Sequence, residues 1–105
     1  MSIFTELSHV ILCLVLGCSL AIAAPKELKV GFVYVSPIGD AGWSYAHDQG
    51  RQAVAALPGV TTSYVEAVAE GPDSERVILN MARKGFNVIF ATSFGYMDSM
   101  LKVAR

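Results

Sequence analysis

The sequence predicts an α/β fold, a parallel sheet in three layers built in the order β-α-β-α-β-α, and three observations lead there. Apolar or β-branched runs alternate with helix-like segments. Each run is followed by turn residues. The first run, Val30–Val35, is apolar almost throughout, as in a parallel strand covered on both faces.

Pro25 to Lys29 is a polar lead-in to that first strand. The loop Ser36-Pro37-Ile38-Gly39-Asp40-Ala41-Gly42-Trp43 follows it, with the only Trp of the chain and an Asp three residues before it. A strand feeding a turn and then a helix opens a βαβ unit, and ligands of parallel α/β sheets bind outside the carboxyl ends of the strands. The helix is expected over Ser44–Leu57, with Tyr45, Gln49, Gln52 and Ala56 along one side and Ala46, Ala53, Val54 and Leu57 as small apolar contacts. Pro58-Gly59 ends it.

Val60–Val68 is the second strand, rich in β-branched residues, and Glu70–Asp73 is its outgoing turn. Asp73 or Ser74 is suited to cap the second helix, and Glu75 to complement its positive end. Val77, Ile78, Met81 and Ala82 form its buried stripe. Arg83-Lys84 suit its C-terminal end, and Gly85 the C′ position. Asn87–Thr92 is the third strand, Ser93-Phe94-Gly95 its outgoing loop, and Tyr96–Arg105 a third helix through Met97, Met100, Leu101 and Ala104. That helix carries no stop signal, and three strands are half of a typical sheet of ~5–6. Residues 24–105 are therefore expected to be the N-terminal part of a longer domain.

Residues 1–23 read as a secretory signal peptide. Val10–Leu16 suits its apolar centre and Ala21-Ile22-Ala23 its cleavage site, although the leading segment holds Glu6 and His9 and no Lys or Arg. The run falls short of the ~20 apolar residues of a membrane span. Val15-Leu16-Gly17-Cys18 offers a second reading, a lipoprotein box with Cys18 acylated. Contact with a membrane is expected only through the signal or that lipid.

The 105 residues are 53% hydrophobic and 16% charged, which excludes disorder. Net charge is -1 with no basic cluster, so the footprint of a nucleic-acid binder is missing. Cys13 and Cys18 are the only cysteines, and His9 and His47 the only histidines, too few beyond residue 24 for a zinc site. There is no G-x-G-x-x-G, no phosphate-binding G-x-x-x-x-G-K-[ST] and no G-x-S-x-G elbow. Without a nucleophile–base pair the expectation is no enzyme, no catalytic residue, no metal and no cofactor.

Binding remains. The loops Ser36–Trp43 and Thr92–Tyr96 converge at the strand ends, with Ala69–Asp73 at the side. They supply aromatic faces (Trp43, Phe94, Tyr96), an acceptor (Asp40) and hydroxyls (Ser36, Thr92, Ser93), which suits a neutral, planar or ring-shaped solute. Each has a purely architectural alternative. Trp43 covers a sheet end, Asp40 caps the first helix or makes an Asx turn, His47 is a surface or packing residue, and Ser93 caps the third helix. Tyr45 and Tyr64 read as packing residues.

Lys29-Val-Gly-Phe-Val-Tyr-Val followed by Gly39-Asp40-Ala-Gly42-Trp43-Ser44-Tyr45-Ala46-His47-Asp48-Gln49-Gly50 resembles the start of the basic membrane protein (BMP) family, solute-binding proteins of ABC importers similar to purine-nucleoside receptors. Phe86-Asn-Val-Ile-Phe-Ala-Thr-Ser93-Phe94-Gly95-Tyr96-Met-Asp98 resembles the family's third strand and ligand loop. The resemblance implies a two-lobed periplasmic-binding-protein fold, of which this chain is part of lobe 1, and a receptor outside the cytoplasmic membrane that hands a purine or nucleoside to an ABC permease. It implies that Asp40 and Trp43 line the cleft, Trp43 standing where other members place a base-stacking Phe. Ser44 stands where those members often carry Asn, His47 approaches the ligand, and Ser93 and Phe94 line the opposite loop. With half its cleft missing, the 105-residue piece is expected to bind nothing at micromolar concentrations. The rivals are a ligand-sensing domain of a signalling receptor and an α/β nucleoside-acting enzyme.

Overall fold

A computed structural model describes residues 22–105, so the predicted signal segment and Cys18 lie outside the described residues. Eight elements follow one another: β1 (Leu28–Val33), a 3-10 turn (Ile38–Asp40), α1 (Trp43–Ala55), β2 (Val60–Val65), α2 (Pro72–Arg83), β3 (Val88–Ala91), a second 3-10 turn (Phe94–Tyr96) and α3 (Met97–Val103). The strands form one parallel sheet in the order β2-β1-β3. This is the α/β architecture expected.

The central strand takes both ladders. Val30 lies opposite Thr62 on one side and Val88 on the other. With neighbours on both edges and helices on both faces, Val30, Phe32, Val33 and Tyr34 are buried. The chain crosses from β1 to β2 in one direction and from β2 over β1 to β3 in the other. Connections of one hand then place α1 and α2 on opposite faces.

One face is apolar. Val33 packs with Val68, Val77, Ile78, Met81 and Tyr96, and Phe86, Ile89, Met100 and Val103 close around them. Gly31 belongs to this face, because a Cβ there would come 2.7 Å from Met81 Sδ. On the other face Val30, Phe32 and Tyr34 meet Ile38, Val54 and Val60, and Phe32 stacks on Phe90 at 5.0 Å between ring centres.

Several expectations change. β1 starts two residues early, because Leu28 N donates to Gly59 O at 2.8 Å and Lys29 exchanges hydrogen bonds with Asn87. β2 ends at Val65 rather than Val68. Ala67 adopts a left-handed φ of 54°, which breaks the extended run and turns Val68 into the core. Neither Asp73 nor Ser74 caps α2. Gly71 is the N-cap and Pro72 opens the helix, its fixed φ suited to the first turn. The Ser74 hydroxyl instead donates to Gly71 O and lies 2.8 Å from Ser99 Oγ, joining α2 to α3 in the interior. Ala82 stays exposed beside the buried stripe of α2, as do Met97 and Leu101 on α3. Gly85 takes its expected left-handed C′ position, with φ of 81°.

The largest correction concerns α1. Tyr45, Gln49, Gln52 and Ala56 line its exposed side, and Ala46, Ala53 and Leu57 are exposed rather than packed. Ser44 and Asp48 are buried, while Tyr45 is 47% and Leu57 55% exposed. Only Val54 of the predicted apolar contacts reaches the core.

Candidate functional site

The carboxyl ends of the strands gather three loops, and hydrogen bonds stitch them to one another. Trp43 Nε1 donates to Thr92 O at 2.5 Å, tying the first loop to the third. Ser93 Oγ donates to Glu70 Oε1 at 2.5 Å, tying the third to the second. Ile38 N donates to Glu66 Oε2 at 2.7 Å, closing the first onto the second.

The first loop is shaped by Asp40. Its Oδ1 accepts from Gly42 N at 2.7 Å and Tyr45 N at 3.2 Å. Its Oδ2 accepts from Ser36 Oγ at 2.6 Å and Ser44 N at 3.3 Å. This is an Asx turn that also satisfies the free amides opening α1. The neighbouring Ala41 is held at a left-handed φ of 54°. The Ser36 hydroxyl first, then the Gly42 amide and the other backbone donors, pull the Asp40 carboxyl down to about 2 from 3.8. Ser44 is fully buried, and its hydroxyl lies 2.6 Å from Ser36 Oγ while accepting from Ser36 N. Asp40, itself exposed, and the buried Ser44 therefore brace the first loop, with their polar atoms engaged by its hydroxyl and amides.

The groups facing outward are different. Trp43 is 60% exposed although its indole N–H is held, and His47, one turn along α1, meets it edge-on with ring centres 4.7 Å apart. Phe94 is 88% exposed. Ser93 accepts from Gly95 N at 3.3 Å, capping the 3-10 turn that presents Phe94. The mouth thus holds two outward aromatic rings, one imidazole and one hydroxyl. Tyr96, expected among the aromatic faces, is not there. It is buried in the apolar core, its hydroxyl donating to Val68 O at 2.6 Å. Burial, with Glu70 nearby, raises its phenol to about 12.

Below α1 lies a polar cluster that the apolar-periodicity reading missed. Tyr34 Oη donates to Asp48 Oδ1 at 3.2 Å, Arg51 holds both Asp48 oxygens at 2.6 and 3.3 Å, and Gln52 Nε2 donates at 2.9 Å. Arg51 also reaches Thr62 Oγ1 and lies 4.8 Å over the Tyr64 ring. The hydrogen bond from Arg51 does most to lower the Asp48 carboxyl, while burial and then Asp48 raise the Tyr34 phenol to about 12. A signal was present: Ser44, Asp48 and Arg51 share helical spacing and hence one face. Among the described residues no three His, Cys, Asp or Glu side chains come together as a metal site, and no helix is long and apolar enough to cross a membrane.

Comparisons with known proteins place this parallel sheet and its flanking helices. The fold matches an ABC-transporter solute-binding protein from Conexibacter woesei with a TM-score of 0.69 over 74% of this chain and 26% of that one, at 19% identity. Residues 27–105 match the family model Bmp, described as ABC transporter substrate-binding protein PnrA-like, and the chain belongs to that family. It is 52% identical over 84 residues (78% of this chain) to a purine-binding protein of Brucella abortus. It is 51% identical over 81 residues (76% of this chain) to a putative ABC transporter glucose-binding protein of Haloferax volcanii. The chain spans 24% and 20% of those two relatives.

Proposed function

We propose that this chain is the opening part of the first lobe of an extracytoplasmic receptor that captures a purine or nucleoside for an ABC permease. Trp43 and Phe94 are the ring platforms, His47 and Ser93 the polar groups at their side, and Asp40 and Ser44 hold the loop that carries Trp43. Binding proceeds without covalent chemistry, and transport relies on tighter binding in the closed state. An N-terminal signal through residue 23, or a lipid on Cys18, would bring it outside the cytoplasmic membrane. The observation that supports this best is the exposed Trp43 ring, fixed in orientation by its bond to Thr92 O and by His47. An indole held in place but open to solvent is a stacking surface. The purine-binding relative supports the choice of solute.

A sugar is the second reading, favoured by the name of the haloarchaeal relative, since aromatic faces also hold sugar rings. Trp43 is the only tryptophan, so its emission reports stacking directly. Titration with adenine, adenosine, guanosine, inosine and glucose at millimolar concentration is expected to quench emission with the purines and leave it unchanged with glucose. A response to glucose alone would replace the purine reading, and no response to any purine would end it.

A further inference from the structure

We propose that Glu70 reads hydrogen-bond donors on the bound ring, its carboxylate accepting from an amino or hydroxyl group of the solute. This rests on the ring-binding reading above. Glu70 lies in the link between β2 and α2, a stretch that sequence patterning treats only as a turn.

Three observations place it. The Ser93 hydroxyl donates to its Oε1 at 2.5 Å. A Cβ at Gly95 would overlap the Glu70 carboxylate, so that group lies directly against the backbone of the third loop. Phe94, between these two contacts, is the most outward ring of the mouth. The carboxylate therefore stands against the short loop that carries the platform. Among the described residues it takes the single hydrogen bond from Ser93, and the ion pairs formed by Arg51, Arg76 and Lys102 go to Asp48, Asp73 and Glu75.

An ionised carboxylate is acceptor-only, with about four lone-pair sites. Its remaining capacity selects N–H and O–H groups and disfavours a ring edge that offers only acceptors. The solute class is thus a flat ring bearing an exocyclic amine or hydroxyls.

The test is Trp43 emission in the whole chain, wild type against Glu70→Ala. The probes are adenine with N6,N6-dimethyladenine, and adenosine with its 2′,3′-dideoxy form. Wild type is expected to prefer the donor-bearing member of at least one pair. Glu70→Ala is expected to lose about tenfold for that member and nothing for its partner, as for one hydrogen bond to a charged group. Equal loss of both members, or no preference in wild type, would overturn the proposal and leave Glu70 as a loop support. Silence of wild type toward all four probes would instead defeat the ring-binding reading, before any substitution is made. Should Glu70→Ala not fold, Glu70→Gln keeps the size and an acceptor for Ser93, and is expected to weaken only the donor-bearing member. Equal weakening of both members by Glu70→Gln would likewise overturn the proposal.

Discussion

Against one face of the sheet, α2 and α3 press Ile78, Met81 and Tyr96 onto Val33. Against the other, α1 presses Ser44, Asp48 and Arg51 toward Tyr34 and Tyr64. The apolar face is held by burial, which is non-directional and tolerates small shifts of the helix. The other face also packs Val30 and Phe32 against Val54, but its Asp48–Arg51 side is held by hydrogen bonds, which do not tolerate such shifts. Arg51 and Tyr34 fix Asp48, and Asp48 lies next to His47 and little more than one turn from Trp43. The difference suggests a division of labour: one face stabilises the sheet, and the other aims the helix that carries the candidate platform.

Ile78→Ala should have the largest effect. Ile78 is 1% exposed, and such truncations cost about 2–5 kcal/mol. A urea melt should show that loss, with Trp43 emission in the folded baseline unchanged. Asp48→Ala should cost about 2 kcal/mol, because it leaves the Tyr34 hydroxyl and the Arg51 guanidinium without their acceptor. Unlike Ile78→Ala, it should also move the Trp43 emission of the folded protein. If both substitutions act alike on that baseline, the proposed division between faces is wrong.

Alkaline pH probes the faces together. Tyr34 and Tyr96 lie one on each side, and each phenol is raised from 10.0 to about 12. Their neutral forms are favoured by the fold, so the stability they contribute is whole below pH 10. It falls as the pH rises toward about 12. Tyrosinate absorbance should show Tyr34 and Tyr96 ionising late, and Asp48→Asn should bring Tyr34 down without moving Tyr96.

The smallest effect belongs to Asp40, which is depressed from 3.8 to about 2. Its contribution is present above pH 3.8 and disappears as the pH falls through about 2. Carboxyl chemical shifts should place its midpoint there. Asp40→Ala should speed amide exchange at Gly42, Ser44 and Tyr45 and leave the β3 amides unchanged.

Much of the fold was legible because strands and loops here obey local rules. The apolar run before Ser36, Gly85 after α2 and the alternation of strand and helix all announce themselves within a few residues. α1 was misread because its buried side is polar, and apolar periodicity cannot see a Ser44–Asp48–Arg51 face. Tyr96 was misplaced for a related reason. An aromatic residue after a strand looks like a mouth residue until the core is seen to claim it. The loop from Ser36 to Trp43 was found, yet the work of Asp40 inside it depends on amides that only the folded turn brings within reach.

Read along the chain alone, the residues announce the parallel α/β order, the loops at the strand ends and the family resemblance. These follow from residue patterns close together in the chain. Folding was needed to settle which aromatics face out and which carboxylate meets the third loop. Those choices join residues 23 to 49 positions apart, as in Glu70 with Ser93 and Trp43 with Thr92. A hydrogen bond across such a separation exists only after the sheet has brought the loops together, so no local pattern can announce it.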